Sequence, residues 1–199
     1  MKASKTLILC SANFNLVPSA LMTTLECIQD PDVVYRAREE VAAHFPEGQW
    51  HSRDTDPKRI LDLPLLSSIY AESLRLHIKV FFFASSPHSD VLLGKWKLPR
   101  EGLGLVNTDI PHTDTSVWNT KNGLHPVDSF WAERFLVDPS DSSSGPLNTQ
   151  FTKPNDAMPE HEHEKAGQRK YFSTEGLGGS WIPYGGKSCG IVRNVRGSV

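Results

Sequence analysis

Apolar residues at helical spacing predict amphipathic helices in the first half of the chain. Across residues 18–30, Leu21, Leu25 and Ile28 fall on one face of such a helix. The dipeptide Asp30-Pro31 is expected to end this helix and to begin another, because proline is compatible with the first turn of a helix. The break between the first and second helices is therefore placed at this dipeptide.

Two further helices and several short strands follow from the same pattern. Residues 32–44, rich in Arg, Glu and Ala, predict the second helix, and residues 65–77, with an apolar stripe, predict the third. Short apolar runs bounded by Pro or Gly predict strands at 78–84, 91–93 and 103–108. Helices first and small β pieces afterwards indicate a mainly α fold with small β-sheet pieces.

Polar stretches divide one predicted domain of 199 residues into segments. Residues 1–137 hold the helices and the small sheet, with a loop at 46–57. Residues 138–170 are rich in Ser, Pro and Gly, and this length indicates a functional or partly disordered segment rather than an ordinary connection. The apolar run within residues 1–10 is too short to span a bilayer and is interpreted as helix interior, so no transmembrane segment is predicted.

Composition narrows the class of protein. The chain of 199 residues is long enough for one domain with a core. Its formal net charge of −2 gives no electrostatic reason to expect nucleic acid or an anionic membrane surface as a partner. The three cysteines, Cys10, Cys27 and Cys189, are odd in number and far apart. They predict neither a disulfide framework nor a paired metal site, which favours a reducing compartment.

Glu72, Arg75 and Arg134 are candidates for a buried ion cluster. Glu72 and Arg75 are three residues apart on the third helix and share a face, although this spacing alone is typical of a surface pair. Arg134 lies in the aromatic segment Phe130-Trp-Ala-Glu-Arg134-Phe135, where a solvated arginine would be unusual. A guanidinium can bridge a carboxylate and backbone carbonyls in fixed geometry. We expect the three side chains to fix an irregular loop against the helix.

Cys189 is the candidate ligand of a cofactor. It follows the glycine-containing segment Trp181-Ile-Pro-Tyr-Gly-Gly-Lys-Ser. Glycines allow a backbone to approach a flat macrocycle closely, and a thiolate can ligate haem iron. The alternative is a free cysteine near the C-terminus with no ligand role.

Asn15 is a second candidate, within the segment Ala12-Asn-Phe-Asn-Leu-Val-Pro18. Asn and Pro weaken a helix interior, so a functional reason for their presence is plausible. The alternative is a helix N-terminus with Asn15 as its cap.

Three histidines carry weaker signals. His161 and His163 alternate with glutamates and could bind a metal, but no closing pair of ligands has suitable spacing, so a solvated charged loop is the favoured interpretation. A metal-binding module there would predict zinc uptake that is lost when both are replaced. His112 could act as a base, but no nucleophile motif accompanies it, and a structural histidine is favoured.

Taken together, these segments resemble the C-terminal part of the cytochrome P-450 family, and in particular fungal members similar to sterol 7α-hydroxylases and prostacyclin synthase. Residues 72–75 match the family's K-helix signature, and residues 130–135 resemble its meander motif. Residues 171–186 are similar to the approach to the haem-binding loop, and residues 12–18 resemble the oxygen-side helix. The resemblance runs over about residues 7–186 and implies a partial cytochrome P-450 fold, truncated at both ends.

The resemblance implies a cofactor and roles for the candidate residues. Haem (iron protoporphyrin IX) would be bound by Cys189 as the axial ligand of the iron, within a loop that contains Gly185 and Lys187. Asn15 would lie near the distal oxygen site. The remaining members, Glu72, Arg75 and Arg134, would hold the scaffold.

The resemblance also implies an activity, partners and a location. The activity is haem-dependent monooxygenation of a lipophilic small molecule, with electrons supplied by a reductase. Full-length relatives are expected at the endoplasmic reticulum membrane, whereas this chain shows no anchor and would be cytoplasmic or of unknown location. The alternative is a catalytically inactive remnant that does not hold haem.

The chain departs from the family pattern around the cysteine. In the family the cysteine follows an aromatic residue by seven positions, and counting from Tyr184 this position is occupied by Ile191. Residues 171–190 are therefore interpreted as the haem-binding loop region and residues 191–199 as an atypical tail. We expect residues 187–199 to derive from a truncated gene product or a gene model out of register, which transcript sequencing across the Gly186 codon would test.

Overall fold

A computed structural model describes residues 17–45, 58–150 and 169–183 of the chain. The helices are α1 over residues 17–29, α2 Pro31–His44, α3 Lys58–Leu61, α4 Pro64–His77 and α5 Asp109–His112. The strands are β1 Phe81–Ala84, β2 Val91–Leu93, β3 Trp96–Leu98, β4 Gly104–Asn107, β5 Leu136–Val137 and β6 Tyr171–Phe172. The predicted fold class, mainly helical with small sheet pieces, is confirmed.

The break between α1 and α2 lies at the predicted dipeptide. The carboxylate of Asp30 accepts hydrogen bonds from the backbone N–H groups of Asp32 at 3.0 Å and Val33 at 3.4 Å. Pro31 occupies the first turn, where a missing N–H costs nothing. Asp30 therefore caps α2, and the prediction of a restart at this point is confirmed.

Helix α4 is the central element of the fold, and its N-terminus is capped from another helix. Its own N-cap residue, Leu63, has no side chain that could accept a hydrogen bond. The carboxylate of Glu40 on α2 instead accepts from the N–H groups of Leu65 at 2.8 Å and Leu66 at 3.0 Å. This contact satisfies two of the unpaired donors of the first turn and holds α2 against α4.

The strands form three two-stranded antiparallel sheets, in which β1 pairs with β4, β2 with β3, and β5 with β6. Gly94, with φ of +58°, makes the tight turn between β2 and β3. The predicted strands at 91–93 and 103–108 are confirmed as β2 and β4, whereas the run at 78–84 forms a strand only over β1. The sequence did not predict α3, α5, β3, β5 and β6, which are too short to show a periodicity.

Two apolar clusters flank α4. The first consists of five buried residues from α2, α4, β5 and the segment before β5: Val33, Leu65, Ile69, Ala132 and Leu136. The second also has five: Ala71, Val117, Trp118, Phe135 and Leu177. Because α4 contributes to both clusters, it brings the chain around residues 117–136 and 171–182 onto one helix.

The apolar face predicted for α1 is present but faces solvent. Leu21 is 58% exposed, Leu25 is 44% exposed and Ile28 is 64% exposed. The contacts of α1 with the rest of the chain include a hydrogen bond from the hydroxyl of Thr23 to Ser73 and the packing of Cys27 against the first apolar cluster. No helix in the described ranges is both long and apolar enough to cross a bilayer.

Part of the predicted polar loop packs against the second cluster. The N–H of Asn148 donates to the carbonyl of Val117 at 2.8 Å, and Leu147 packs against the cluster. Residues 151–168 of that loop lie outside the described ranges, and the division of the chain into segments stays a prediction.

Candidate functional site

Glu72 and Arg75 form a fully buried, bidentate ion pair on α4. Both side chains have no exposed surface. The Nε of Arg75 donates to one carboxylate oxygen of Glu72 at 2.7 Å, and its Nη2 donates to the other at 2.8 Å. The remaining Nη1 donates to the backbone carbonyl of His112 at 2.6 Å. The pair thus has the two parallel bonds that make an arginine–carboxylate contact specific.

Arg134 approaches the same carboxylate from the other side. Its Nε donates to Glu72 at 2.9 Å, and its side chain is also fully buried. The other guanidinium nitrogens donate to backbone carbonyls of the loop, Nη2 to Pro126 at 3.0 Å and Ser129 at 3.2 Å, and Nη1 to Asn119. Arg134 therefore links the carboxylate of Glu72 to three backbone carbonyls, and these hydrogen bonds hold the loop that precedes β5.

The cluster carries two positive charges and one negative charge in a buried place. Burial lowers the pKa of Arg134, as does the neighbouring Arg75, while Glu72 opposes the shift. The carbonyl oxygens that accept from both guanidiniums supply the rest of the negative potential. Such a cluster is stable only when its charged groups are hydrogen-bonded, and here every guanidinium nitrogen of both arginines donates at least one hydrogen bond.

Aromatic rings cover the cluster. The guanidinium of Arg75 lies over the ring of Trp118 at 5.1 Å, and that of Arg134 lies over Trp131 at 5.2 Å. The ring of Trp131 also stacks on that of His125, with ring centroids 4.3 Å apart. These contacts keep water from the ion pairs and add cation–π attraction.

The segment that leads to the glycine-rich loop is fixed next to this cluster. The indole N–H of Trp181 donates to the carbonyl of Ala71 at 3.4 Å, and its ring meets Phe135 edge to face at 5.7 Å. The N–H of Ile182 donates to Nε2 of His112 at 3.0 Å. Burial, with a contribution from Arg75, lowers the pKa of His112 to about 4, so its ring is neutral and free to accept this bond.

The structure brings together only some of the predicted site residues. Glu72, Arg75 and Arg134 meet in one cluster, and the buried, hydrogen-bonded ring of His112 favours the structural interpretation of that residue over a catalytic base. The other candidates lie outside the described ranges: Asn15, His161, His163, Gly185, Lys187 and Cys189. In the described part of the chain no group of three or more His, Cys, Asp or Glu is placed to hold a metal ion.

Sequence reasoning missed the residues that complete the cluster through their backbones. The backbone carbonyls of three residues accept from Arg134: Asn119, Pro126 and Ser129. Every residue type has a carbonyl, so the sequence gives no signal for this role. The hydroxyl of Ser68, which accepts the N–H of Phe135 at 3.1 Å, was missed as well. Its small size on the apolar face of a helix was the available signal.

Comparison with curated proteins gives the family. A cytochrome P-450 monooxygenase, efuG, of Hormonema carpetanum is 34% identical over 183 residues, which are 88% of this chain and 31% of the relative. A second, fsoE, of Humicola fuscoatra is 33% identical over 189 residues, or 88% of this chain and 30% of the relative. A plant cytochrome P-450 of Medicago truncatula is 29% identical over 102 residues, covering 50% of this chain and 19% of the relative. No protein-family model matches the chain.

The helix-and-small-sheet architecture and the buried cluster therefore define part of a cytochrome P-450 fold. The chain belongs to the cytochrome P-450 family, and it spans a little under a third of the length of the fungal relatives it matches. The predicted family is confirmed. The finer resemblance to sterol 7α-hydroxylases and prostacyclin synthase stays a prediction.

The family implies a haem, and the ligand predicted for its iron is Cys189, whereas Cys27 is the cysteine that the structure describes. Cys27 packs against the first apolar cluster, and burial, followed by Glu26 and Asp30, raises the pKa of its thiol. A partly buried thiol with a raised pKa is harder to deprotonate and is therefore a poorer metal ligand. Cys189 follows the anchored segment at Trp181 and Ile182 and has the soft donor atom that haem iron accepts. Cys189 lies outside the described residues, so its role as the ligand stays a prediction.

Proposed function

We propose that this chain is the scaffold-bearing part of a haem-dependent monooxygenase that acts on a lipophilic small molecule. The observation that supports the proposal is the buried Glu72–Arg75–Arg134 cluster, joined through Trp181 and Ile182 to the segment that leads to Cys189. When bound, the haem would activate dioxygen, so that one oxygen atom enters the substrate and the other leaves as water. Electrons would come from a reductase.

The chain's own residues take four roles in this proposal. Cys189 would ligate the iron, and Gly185 and Lys187 would surround the thiolate. Asn15 would lie near the place where oxygen binds. The ion cluster would keep the loop in place and would not touch the reacting atoms. The whole protein would act at the endoplasmic reticulum membrane, as expected for full-length proteins of this kind.

Haem binding by the full 199-residue chain tests the proposal. The chain is expressed with haem supplied, reduced under carbon monoxide, and examined for the Soret band that marks a thiolate ligand. We expect the band in the unchanged chain and in Cys27→Ser, and its loss in Cys189→Ser. A band that survives Cys189→Ser would show that another group binds the iron.

The alternative is an inactive chain that does not hold haem, and exposed apolar side chains favour it. Leu92 is 76% exposed, Trp96 is 70% exposed and Phe83 is 69% exposed, a pattern that is unusual for a finished domain surface. The alternative predicts no thiolate-type band together with a circular dichroism spectrum of an unfolded chain. A folded chain with the band would exclude it.

A further inference from the structure

His112 connects the buried ion cluster to the segment that precedes the glycine-rich loop. It has no exposed surface. Its backbone carbonyl accepts from Nη1 of Arg75, in the ion cluster, at 2.6 Å. Its ring nitrogen Nε2 accepts from the N–H of Ile182, in the segment before the glycine-rich loop, at 3.0 Å. One residue thus contacts both the scaffold and the chain that leads to Cys189.

The contact with Ile182 defines the chemical state of the ring. A ring nitrogen that accepts an N–H cannot itself carry a proton, so a neutral ring in this position has its proton on Nδ1. Nδ1 is buried and has no hydrogen-bond partner among the described residues. An imidazolium would place a proton on Nε2, facing the N–H of Ile182, and the hydrogen bond would be lost.

The position of Ile182 makes this hydrogen bond consequential. The preceding residue, Trp181, is held by its own N–H, which donates to the carbonyl of Leu177 at 3.0 Å. The following residue is Pro183, which has no N–H to donate. The amide of Ile182 is therefore the last backbone donor before residue 184, and a side chain, rather than a regular backbone pairing, fixes it.

We propose that His112 is a positioning residue, whose Nδ1–H tautomer fixes Ile182 relative to the Glu72 cluster and so sets where the segment carrying Cys189 begins. The importance of that segment rests on the proposed function. The hydrogen bond itself belongs to the folded chain and can be measured without haem.

Two variants of the full chain test the proposal by amide hydrogen exchange. His112→Gln places an amide oxygen near the position of Nε2, whereas the shorter side chain of His112→Asn reaches only the position of Nδ1. We expect exchange at Ile182 to be at least about tenfold faster in His112→Asn than in the unchanged chain, and within about threefold of it in His112→Gln. The amide of Trp181, bonded to Leu177, serves as the internal reference. Equal protection of Ile182 in the unchanged chain and in His112→Asn would overturn the proposal.

A measurement on the unchanged chain keeps the test independent of how the variants fold. Long-range nitrogen–proton correlation spectra of the labelled chain identify which ring nitrogen of His112 carries the proton. We expect the proton on Nδ1, and a proton on Nε2 would overturn the proposal. If Ile182 is protected and the tautomer is as expected while no thiolate-type Soret band forms, the proposed function fails and the positioning role of His112 stands.

Discussion

At the scale of single residues, Glu72 controls the electrostatic balance of the buried cluster. Its carboxylate accepts from Arg75, from Arg134 and from the backbone N–H of Trp131 at 3.3 Å. Desolvating one such charge costs several kcal/mol, so removing the carboxylate that pairs with both buried cations leaves both poorly compensated. The consequences of changing this residue can therefore be predicted with a sign and a size.

The isosteric substitution Glu72→Gln is expected to destabilise the chain by about 3–5 kcal/mol. It keeps the volume of the side chain and removes the charge, so packing loss cannot explain the effect. Equilibrium unfolding in urea, followed by far-ultraviolet circular dichroism, measures the change. Because small domains are stable by only about 5–15 kcal/mol, complete loss of cooperative unfolding also agrees with the prediction.

An exposed carboxylate provides the matched control for that substitution. Glu101 faces Arg100 at 3.5 Å, with side chains 71% and 61% exposed. Glu101→Gln is expected to change the free energy of unfolding by less than about 0.5 kcal/mol. A loss below about 1 kcal/mol for Glu72→Gln would contradict the account of the cluster, since a surface pair would then behave like the buried one.

His112 gives the chain a predictable dependence on pH. Burial and the charge of Arg75 lower the pKa of His112 to about 4. Lys79 acts in the same direction, and Asp109 opposes the shift. An unfolded histidine titrates near about 6.5, so between these values the unfolded chain binds more protons and stability falls as the pH falls. Between pH 7 and pH 5 the loss from this residue is about 2 kcal/mol.

Urea unfolding at pH 7 and pH 5 measures that loss against His112→Gln. The variant retains an acceptor for Ile182 and cannot be protonated, so its stability should decrease less over the same interval. The difference between the two chains removes the contribution of every other titrating group. Identical pH dependence in both would show that His112 is not buried as a neutral ring.

The sequence predicted the charged members of the site better than their partners. Glu72, Arg75 and Arg134 could be grouped because buried charges need one another and because aromatic residues flank Arg134. The ring of His112 could not be paired with Ile182, since nothing in residues 181–183 indicates which backbone donor lacks a regular partner. The carbonyls around Arg134 were equally beyond prediction, because a carbonyl has no residue-specific signal.

At the scale of elements, the long helices followed from local signals and the short elements did not. Helices α2 and α4 begin at proline and carry residues that cap or pack, so their bounds fall within a residue of the prediction. Strands β5 and β6 contain two residues each. They form where Phe135 and Leu177, which are close to these strands in the sequence, pack in one cluster with Ala71 of α4. Their pairing is a consequence of tertiary contacts, which no short window of sequence contains.

The cap of α2 provides an element-scale prediction. Asp30→Ala removes the acceptor of the N–H groups of Asp32 and Val33, and it is expected to cost about 1 kcal/mol of stability. Asp30→Asn keeps an acceptor oxygen and should lose only a few tenths of that amount. The helical signal and the urea midpoint of both variants measure the effect. Equal losses would show that charge at the helix terminus, rather than the hydrogen bonds, stabilises the start of α2.

At the scale of the whole molecule, the buried side chains are concentrated around α4 and the apolar surface lies elsewhere. The face of α1 and the ribbons β1–β4 and β2–β3 expose large apolar side chains in the described part of the chain. The sequence correctly placed an apolar face on α1 but could not say what lies against it. Periodicity shows that a face is apolar, and only tertiary contacts decide whether it is covered.

This distribution predicts that the isolated chain associates with itself. Strand β1 has the sequence Phe-Phe-Phe-Ala without charge, and among the described residues it pairs with β4 alone. A segment of high β-propensity with an unpaired edge is a template for pairing with another copy. Light scattering after size-exclusion chromatography, over a series of concentrations, should show a mass that rises with concentration.

Phe83→Lys, at a side chain that is 69% exposed, should reduce the association and leave the urea midpoint nearly unchanged. Gln150→Lys adds the same charge at an exposed polar position and should leave the association as it is. If the unchanged chain keeps the mass of one copy at every concentration, the exposed apolar surface does not drive association.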